Sequence, residues 1–198
     1  MSVFWSGSSC RVLEVRAGPG RFTLALAAAG ARVLVTDISP VRLRLNARYV
    51  AGAGAERAVE SRALLDVCEV SRFGDGDFDA VVAFGGPLSY AFDRAGEALA
   101  GLLRVTRARG PVIASVMSAA GAYRHLLAVS WRSATCSGRI ASDRIPATGD
   151  LRETQPPGSG QHLCRMFRSR QICALVEQAG GGCSRCRPAT GFRPARGA

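Results

Sequence analysis

The stretch from Arg11 to Thr23, RVLEVRAGPGRFT, limits the possible folds of this chain more than any other. An apolar, β-branched run carries an acid, Glu14, and breaks into a turn at Gly18-Pro19-Gly20. An alanine- and leucine-rich run with helical spacing follows at once. Strand, glycine turn and helix in that order make a nucleotide-binding edge. The glycines let a ligand approach the backbone, and the helix N-terminus presents N–H groups without partners.

The same alternation continues along the chain. The first strand is expected over about Arg11 to Val15, and the first helix from about Gly20 to Ala29, with Gly30 placed as a C-terminal cap. ARVLVTD, Ala31 to Asp37, reads as a second buried strand. A helix from about Pro40 to Val50 has proline in its first turn. A third strand near Ala58 to Leu65 is followed by Asp66, and a fourth, Ala80 to Phe84, breaks at Gly85-Gly86-Pro87. From about Arg94 to Val105 the apolar residues Ala95, Ala98, Leu99, Leu102 and Leu103 form a helical stripe. ARGPVIASVMS reads as a turn and a fifth strand, and Ala119 to Val129 as a further helix. Such alternation gives an α/β fold, a doubly wound and mostly parallel sheet that binds ligands at the carboxyl ends of its strands.

Beyond residue 130 the pattern weakens. Residues 131–160 read as an irregular loop, and Met166 to Gly180 as a helix with Ile172, Leu175, Val176 and Ala179 on one face. The expected organisation is a frayed lead-in over 1–10, one domain over 11–181 and a disordered tail over 182–198. The C-terminal strand pair of the sheet is expected to be incomplete.

Composition fits one such domain. The chain has 198 residues, 47% of them hydrophobic, enough for a packed core and too many for a disordered sequence. No apolar run approaches the roughly 20 residues of a membrane span. MSVFWSGSSC has neither the basic start nor the apolar segment of a signal peptide. A cytoplasmic protein without membrane contact is the expectation. The net charge of +11 comes wholly from the second half, where 15 arginines face 4 acids, whereas residues 1–100 balance 11 against 11. These arginines are scattered, without the aromatic interleaving of RNA-binding sheets, so a solvated basic surface is preferred to a nucleic-acid partner. The seven cysteines are odd in number and irregularly spaced, as suits reduced thiols. Cys183 and Cys186 form a lone CxxC without a second ligand pair, and no metal site is expected.

Three acids stand where a nucleoside ligand needs them. Glu14 ends strand one just before the glycine turn, Asp37 ends strand two, and Asp66 ends strand three. Each alone is more often a cap or turn former than a ligand contact. Together, in register with a glycine turn, they converge on one rim of the sheet.

EVRAGPGRFTLALAAAGARVLVTDIS resembles the cofactor-binding edge of class I S-adenosylmethionine-dependent methyltransferases, whose first motif is an acid followed by G-x-G-x-G. The likeness continues through LLDVCEVSRFGDGDFDAVVAFGGPLSY and EALAGLLRVTRARGPVIASV, and HLCRMFRSRQICALVEQAGG is similar to the late substrate segment of small-molecule members. It covers residues 11–130 well and 161–181 in part. The resemblance implies a Rossmann-like sheet, S-adenosyl-L-methionine as cofactor and a small-molecule acceptor. It also implies that Glu14 and the backbone around Ala17, Gly18 and Gly20 hold the methionine part. Asp37 would hold the ribose hydroxyls, and Ile38 would pack on adenine. Asp66 and Val67 would read the adenine amine, while Phe84, Gly85 and Gly86 line the pocket at the transferred methyl. Methyl transfer is an in-line displacement governed by positioning, and a base is needed only where the acceptor must lose a proton. Tyr90, His162 and His125 are the candidates.

Two rivals and one departure complete the reading. A nicotinamide dehydrogenase would need a glycine or alanine where GxGxxG reaches its third position, and Thr23 stands there. A non-catalytic remnant or binding module would keep the same core. Arg16 occupies the first glycine of the family motif, where the backbone turns sharply beside the cofactor. It is expected to weaken cofactor binding, by blocking the methionyl pocket or by straining the turn. Relative to that family the chain is expected to be truncated or degenerate at both ends.

Overall fold

A computed structural model describes residues 10–121 and 164–183 of the chain. Five strands form one sheet: β1 (Arg11–Val15), β2 (Arg32–Asp37), β3 (Val59–Leu64), β4 (Ala80–Ala83) and β5 (Val112–Ala114). Their order is β3-β2-β1-β4-β5, and every pairing is parallel. The doubly wound sheet expected from the alternation is therefore the one observed.

Parallel neighbours need crossovers, and the helices supply them. They are α1 (Arg21–Ala28), α2 (Pro40–Gly52), a one-turn α3 (Pro87–Tyr90), α4 (Ala95–Val105) and α5 (Ser169–Gln178). Alternate strand residues point to opposite faces, so the sheet has two cores. Val12, Val33, Val35, Ala80 and Val82 pack with Leu26 of α1 and Leu43 of α2. Leu13, Val15, Leu34, Val81 and Ala83 pack on the other face with Ala98, Leu99, Leu102 and Val105 of α4. Ile172, Leu175 and Val176 of α5, with Ala179 just past its end, close that second core, the face expected for this segment. The central strands β1, β2 and β4 are nearly fully buried, whereas β3 and β5 at the edges of the described sheet are not.

Local chemistry sets the helix ends. Ser39 caps α2 by accepting the Arg42 N–H, with Pro40 at the first position. Gly30, at φ 81°, ends the first helix as its position implied. The chain also makes turns that the sequence pattern did not reveal. Single 3-10 turns span Glu56–Ala58 and Phe92–Arg94, and a kinked pair spans Val67–Arg72. The expected helix from Ala119 is formed through residue 121, where the described segment ends. The expected loop over 131–160 lies outside the described residues, as do 1–9 and all of the tail beyond Cys183.

Segment 164–183 returns to the domain through backbone pairing. The Arg165 N–H donates to the Ser89 carbonyl at 2.8 Å, and the Phe167 N–H donates to the Met117 carbonyl at 2.8 Å. Phe167 thereby bridges in parallel to Ser118, just past β5.

Candidate functional site

The strand order reverses between β1 and β4, and the chain leaves the carboxyl ends of these neighbours in opposite directions. A crevice at this position is where doubly wound sheets hold ligands. Both strands end in left-handed turns. After β1, Gly18 has φ 59° and Gly20 φ 108°; after β4, Gly85 has φ 78° and Gly86 φ 76°. The glycines of the first turn serve different ends. A Cβ on Gly18 would meet nothing within 4 Å, so its surface faces open space. A Cβ on Gly20 would press on Val50 Cγ2 at 3.1 Å and Asn46 Nδ2 at 3.2 Å, so Gly20 lets α1 pack on α2.

Beneath this turn lies Glu14, only 1% exposed. Thr23 Oγ1 donates to Glu14 Oε2 at 2.6 Å, and Asn46 Nδ2 donates to Thr23 Oγ1 at 2.8 Å. Arg62 Nε donates to Asn46 Oδ1 at 2.9 Å, and the Arg62 guanidinium pairs with Glu56 at the surface. A polar chain therefore runs from solvent to the buried acid. Its far end is incomplete, because Glu14 Oε1 has no hydrogen-bond partner among the described residues. Burial pushes the Glu14 carboxyl up to about 7; the Thr23 hydrogen bond opposes that shift and the nearby Asp37 carboxylate adds to it.

Asp37 is fully buried at the tip of β2. Its Oδ2 accepts the Gly18 N–H at 2.9 Å and its Oδ1 accepts the Ser39 N–H at 2.9 Å, which ties the glycine turn to the start of α2. Each carboxylate oxygen has a second lone pair, so the group keeps capacity for further donors. Ala17 is buried, and its N–H donates to the Thr36 carbonyl at 2.9 Å. Ile38, the next residue after Asp37, is 65% exposed despite its apolar side chain. Asp66 is half-buried and accepts the Cys68 N–H at 2.9 Å, and Val67 packs into the core under α4.

At the end of β4, Phe84 is half-buried against Phe22 of α1, with ring centroids 4.5 Å apart. Tyr90 ends α3, half-buried. His162 and His125 lie outside the described residues. No metal-binding cluster of histidine, cysteine and acidic residues occurs among the described residues.

Arg16 joins the two sides of the crevice. Its backbone adopts φ 61°, the left-handed geometry that a glycine would take without cost. Its Nη1 donates to the Gly85 carbonyl at 2.5 Å, and its guanidinium carbon lies 3.8 Å from the centroid of the Tyr90 ring. No carboxylate among the described residues forms an ion pair with it.

Thr23 and Asn46 are the site residues that sequence reasoning missed. Thr23 counted only as a mismatch to the dinucleotide motif, yet it is the hydrogen-bonded neighbour of Glu14. Asn46 left a usable signal, since it stands between Leu43 and Val50 on the buried face of α2. A polar residue in a core stripe calls for a buried partner.

Known proteins give the same picture. Two crystal structures match over 87% of the chain. One is an S-adenosylmethionine-dependent methyltransferase from Methanosarcina mazei, at TM-score 0.63 and 16% identity, with 80% of that chain covered. The other is the PH0226 protein from Pyrococcus horikoshii OT3, at TM-score 0.61 and 17% identity, with 74% covered. At these identities the likeness establishes the fold. Against the cyclase SpnF, 24% identical at TM-score 0.48, the match takes in 54% of this chain and 39% of that one. No curated protein matches the sequence. Residues 12–110 match the family described as a methyltransferase domain, half of the chain including the whole crevice between β1 and β4. The chain belongs to that methyltransferase-domain family.

Proposed function

We propose that this domain binds S-adenosyl-L-methionine at the β1–β4 crevice and transfers its methyl group to a small-molecule acceptor. The observation that carries the reading is the buried Glu14 oxygen without a partner, in the strand that runs straight into the glycine turn. A buried acceptor left unsatisfied costs about 1–3 kcal/mol, and a ligand ammonium reaching it, directly or through water, would remove that cost. The nucleoside end fits as well. Asp37, once uncovered, would hold ribose hydroxyls on its remaining lone pairs, Ile38 offers an exposed apolar cover for adenine, and Asp66 would accept an exocyclic amine.

The cofactor supplies an electrophilic methyl on a sulfonium, and the protein's part is to hold and screen. Glu14 with the backbone of Ala17, Gly18 and Gly20 would bind the methionine portion. Phe84, Gly85 and Tyr90 would wall the methyl end and exclude water from it. Where the acceptor must lose a proton, Tyr90 and His162 are the candidates to take it. A cytoplasmic location accompanies this reading. There, buried Cys10, whose thiol desolvation pushes up to about 11, would stay unreactive.

A second reading has its own observation. With Arg16 across the crevice, the domain would bind an adenosyl nucleoside without turning it over. Thermal unfolding with S-adenosylmethionine and with S-adenosylhomocysteine tests the shared premise. A ligand at 100 times its dissociation constant adds about 2.7 kcal/mol. For a domain of this size that raises Tm by about 5–10 °C. No shift with either nucleoside at millimolar concentration would overturn both readings.

A further inference from the structure

The Arg16 guanidinium is a fixed cation with no ion-paired acid among the described residues. It is held at two points, the Gly85 carbonyl at 2.5 Å and the face of Tyr90 at 3.8 Å. Both belong to the wall assigned above to the methyl end of the cofactor. The residue also keeps φ 61°, a left-handed conformation that is strained for any residue with a side chain. A strained backbone persists where surrounding contacts over-determine it, and here those contacts aim a positive charge at the crevice.

The charge of the ligand at that end then becomes decisive. S-adenosylmethionine carries a sulfonium where S-adenosylhomocysteine carries a neutral thioether, and the two are otherwise the same molecule apart from the methyl. Like charges a few ångströms apart repel strongly enough at a protein surface to change an affinity tenfold or more. The same guanidinium leaves a neutral sulfur almost unaffected. Resting on the adenosyl-nucleoside reading of the crevice, we infer that Arg16 makes the site selective for the neutral thioether nucleoside over the sulfonium donor. The domain is then a binder of the demethylated product first, and donor binding requires Arg16 to swing off Gly85 and Tyr90.

Isothermal titration of the full chain with each nucleoside at one pH measures this without any acceptor. Three proteins are compared: wild type, Arg16→Gln and Arg16→Gly. Glutamine keeps a polar side chain and the same backbone strain but removes the charge. Glycine removes charge, bulk and strain together. Wild type should bind the thioether at least tenfold more tightly than the sulfonium, and Arg16→Gln should bring the two affinities within about threefold. An undiminished ratio in Arg16→Gln overturns the inference, since charge would then not be the cause. So does a rise in affinity for both nucleosides alike in Arg16→Gly with no change in ratio, which would make Arg16 a steric plug. If none of the three proteins binds either nucleoside, the adenosyl reading itself fails and the inference fails with it. A changed or unchanged ratio, by contrast, speaks to Arg16 alone.

Discussion

Thr23 Oγ1 sits 2.6 Å from Glu14 Oε2, and this short hydrogen bond joins the first turns of α1 to the strand that carries the site. The acid it touches is buried and half-satisfied, which gives the domain an unusual response to pH. Below about 4.5, Glu14 is protonated in both folded and unfolded chains. Between 4.5 and its folded value of about 7, the unfolded chain ionises while the folded one holds its proton. The folded state binds more protons, so stability falls as pH rises through this window. Urea denaturation at pH 5 and pH 8 should show wild type losing about 2 kcal/mol that Glu14→Gln does not lose. Glu56 and Glu60 are held below the usual carboxylate range by their arginine partners, so their contributions are lost only as pH falls below about 4.5. Parallel behaviour of the two proteins would locate the pH dependence elsewhere.

Thr23→Val keeps the shape of the side chain and deletes the hydroxyl. Glu14 Oε2 loses its donor, and Asn46 Nδ2 loses its acceptor, in a region where neither residue has access to solvent. Two buried polar groups left open should lower unfolding stability by about 2–4 kcal/mol, at about 1–3 kcal/mol each with partial relaxation. Chemical denaturation gives the number. A loss under 0.5 kcal/mol would mean that the network adds little.

Gly20→Ala and Gly18→Ala should separate packing from binding. The first drives a methyl into Val50 and Asn46 at φ 108°, so it should unfold more easily, by about 2–3 kcal/mol. The second puts its methyl into open space at φ 59°, at a cost of about 1–2 kcal/mol for the left-handed backbone alone. That open space is the proposed cradle, so Gly18→Ala should lose at least tenfold in nucleoside affinity while remaining folded at room temperature. Titration and thermal unfolding on the same samples check both. Equal damage to stability by the two variants would remove the distinction.

The extent to which the sequence declares this structure depends on distance along the chain. β1, β2 and β4 are legible because they are buried runs bounded by glycine or acids, and burial patterning is a local property. All three match expectation to within a residue. Tyr90 could be named from the sequence as a candidate base, but not as a platform for Arg16. That stacking depends on β1 and β4 being neighbours, and no local pattern places Arg16 against a carbonyl 69 positions away. The same holds for Glu14, Thr23, Asn46 and Arg62, which meet only once α1, α2 and β3 fold over one another. The short turns at Glu56–Ala58 and Phe92–Arg94 are below the length at which periodicity means anything. Arg16 shows both sides of this limit. Its identity at a glycine position marked it from sequence alone, but the direction of its guanidinium decides what it does.

Asp66 has a structural task and a proposed recognition task, and one substitution can part them. Its Oδ1 caps the turn over Val67–Arg72 by accepting the Cys68 N–H, which also holds Val67 and Val70 in the core. Asp66→Asn keeps an oxygen for that cap, whereas Asp66→Ala does not and should lose about 1 kcal/mol of stability. For recognition, the carboxylate would accept from the amine of adenine, while hypoxanthine presents a carbonyl there and would face it oxygen to oxygen. Wild type should therefore prefer S-adenosylhomocysteine to S-inosylhomocysteine by at least tenfold in a titration. Asp66→Asn, with an amide able to donate, should narrow that preference to about threefold or less at nearly unchanged stability. If Asp66→Asn retains the full preference, the adenine edge is read by another group and Asp66 is a cap alone.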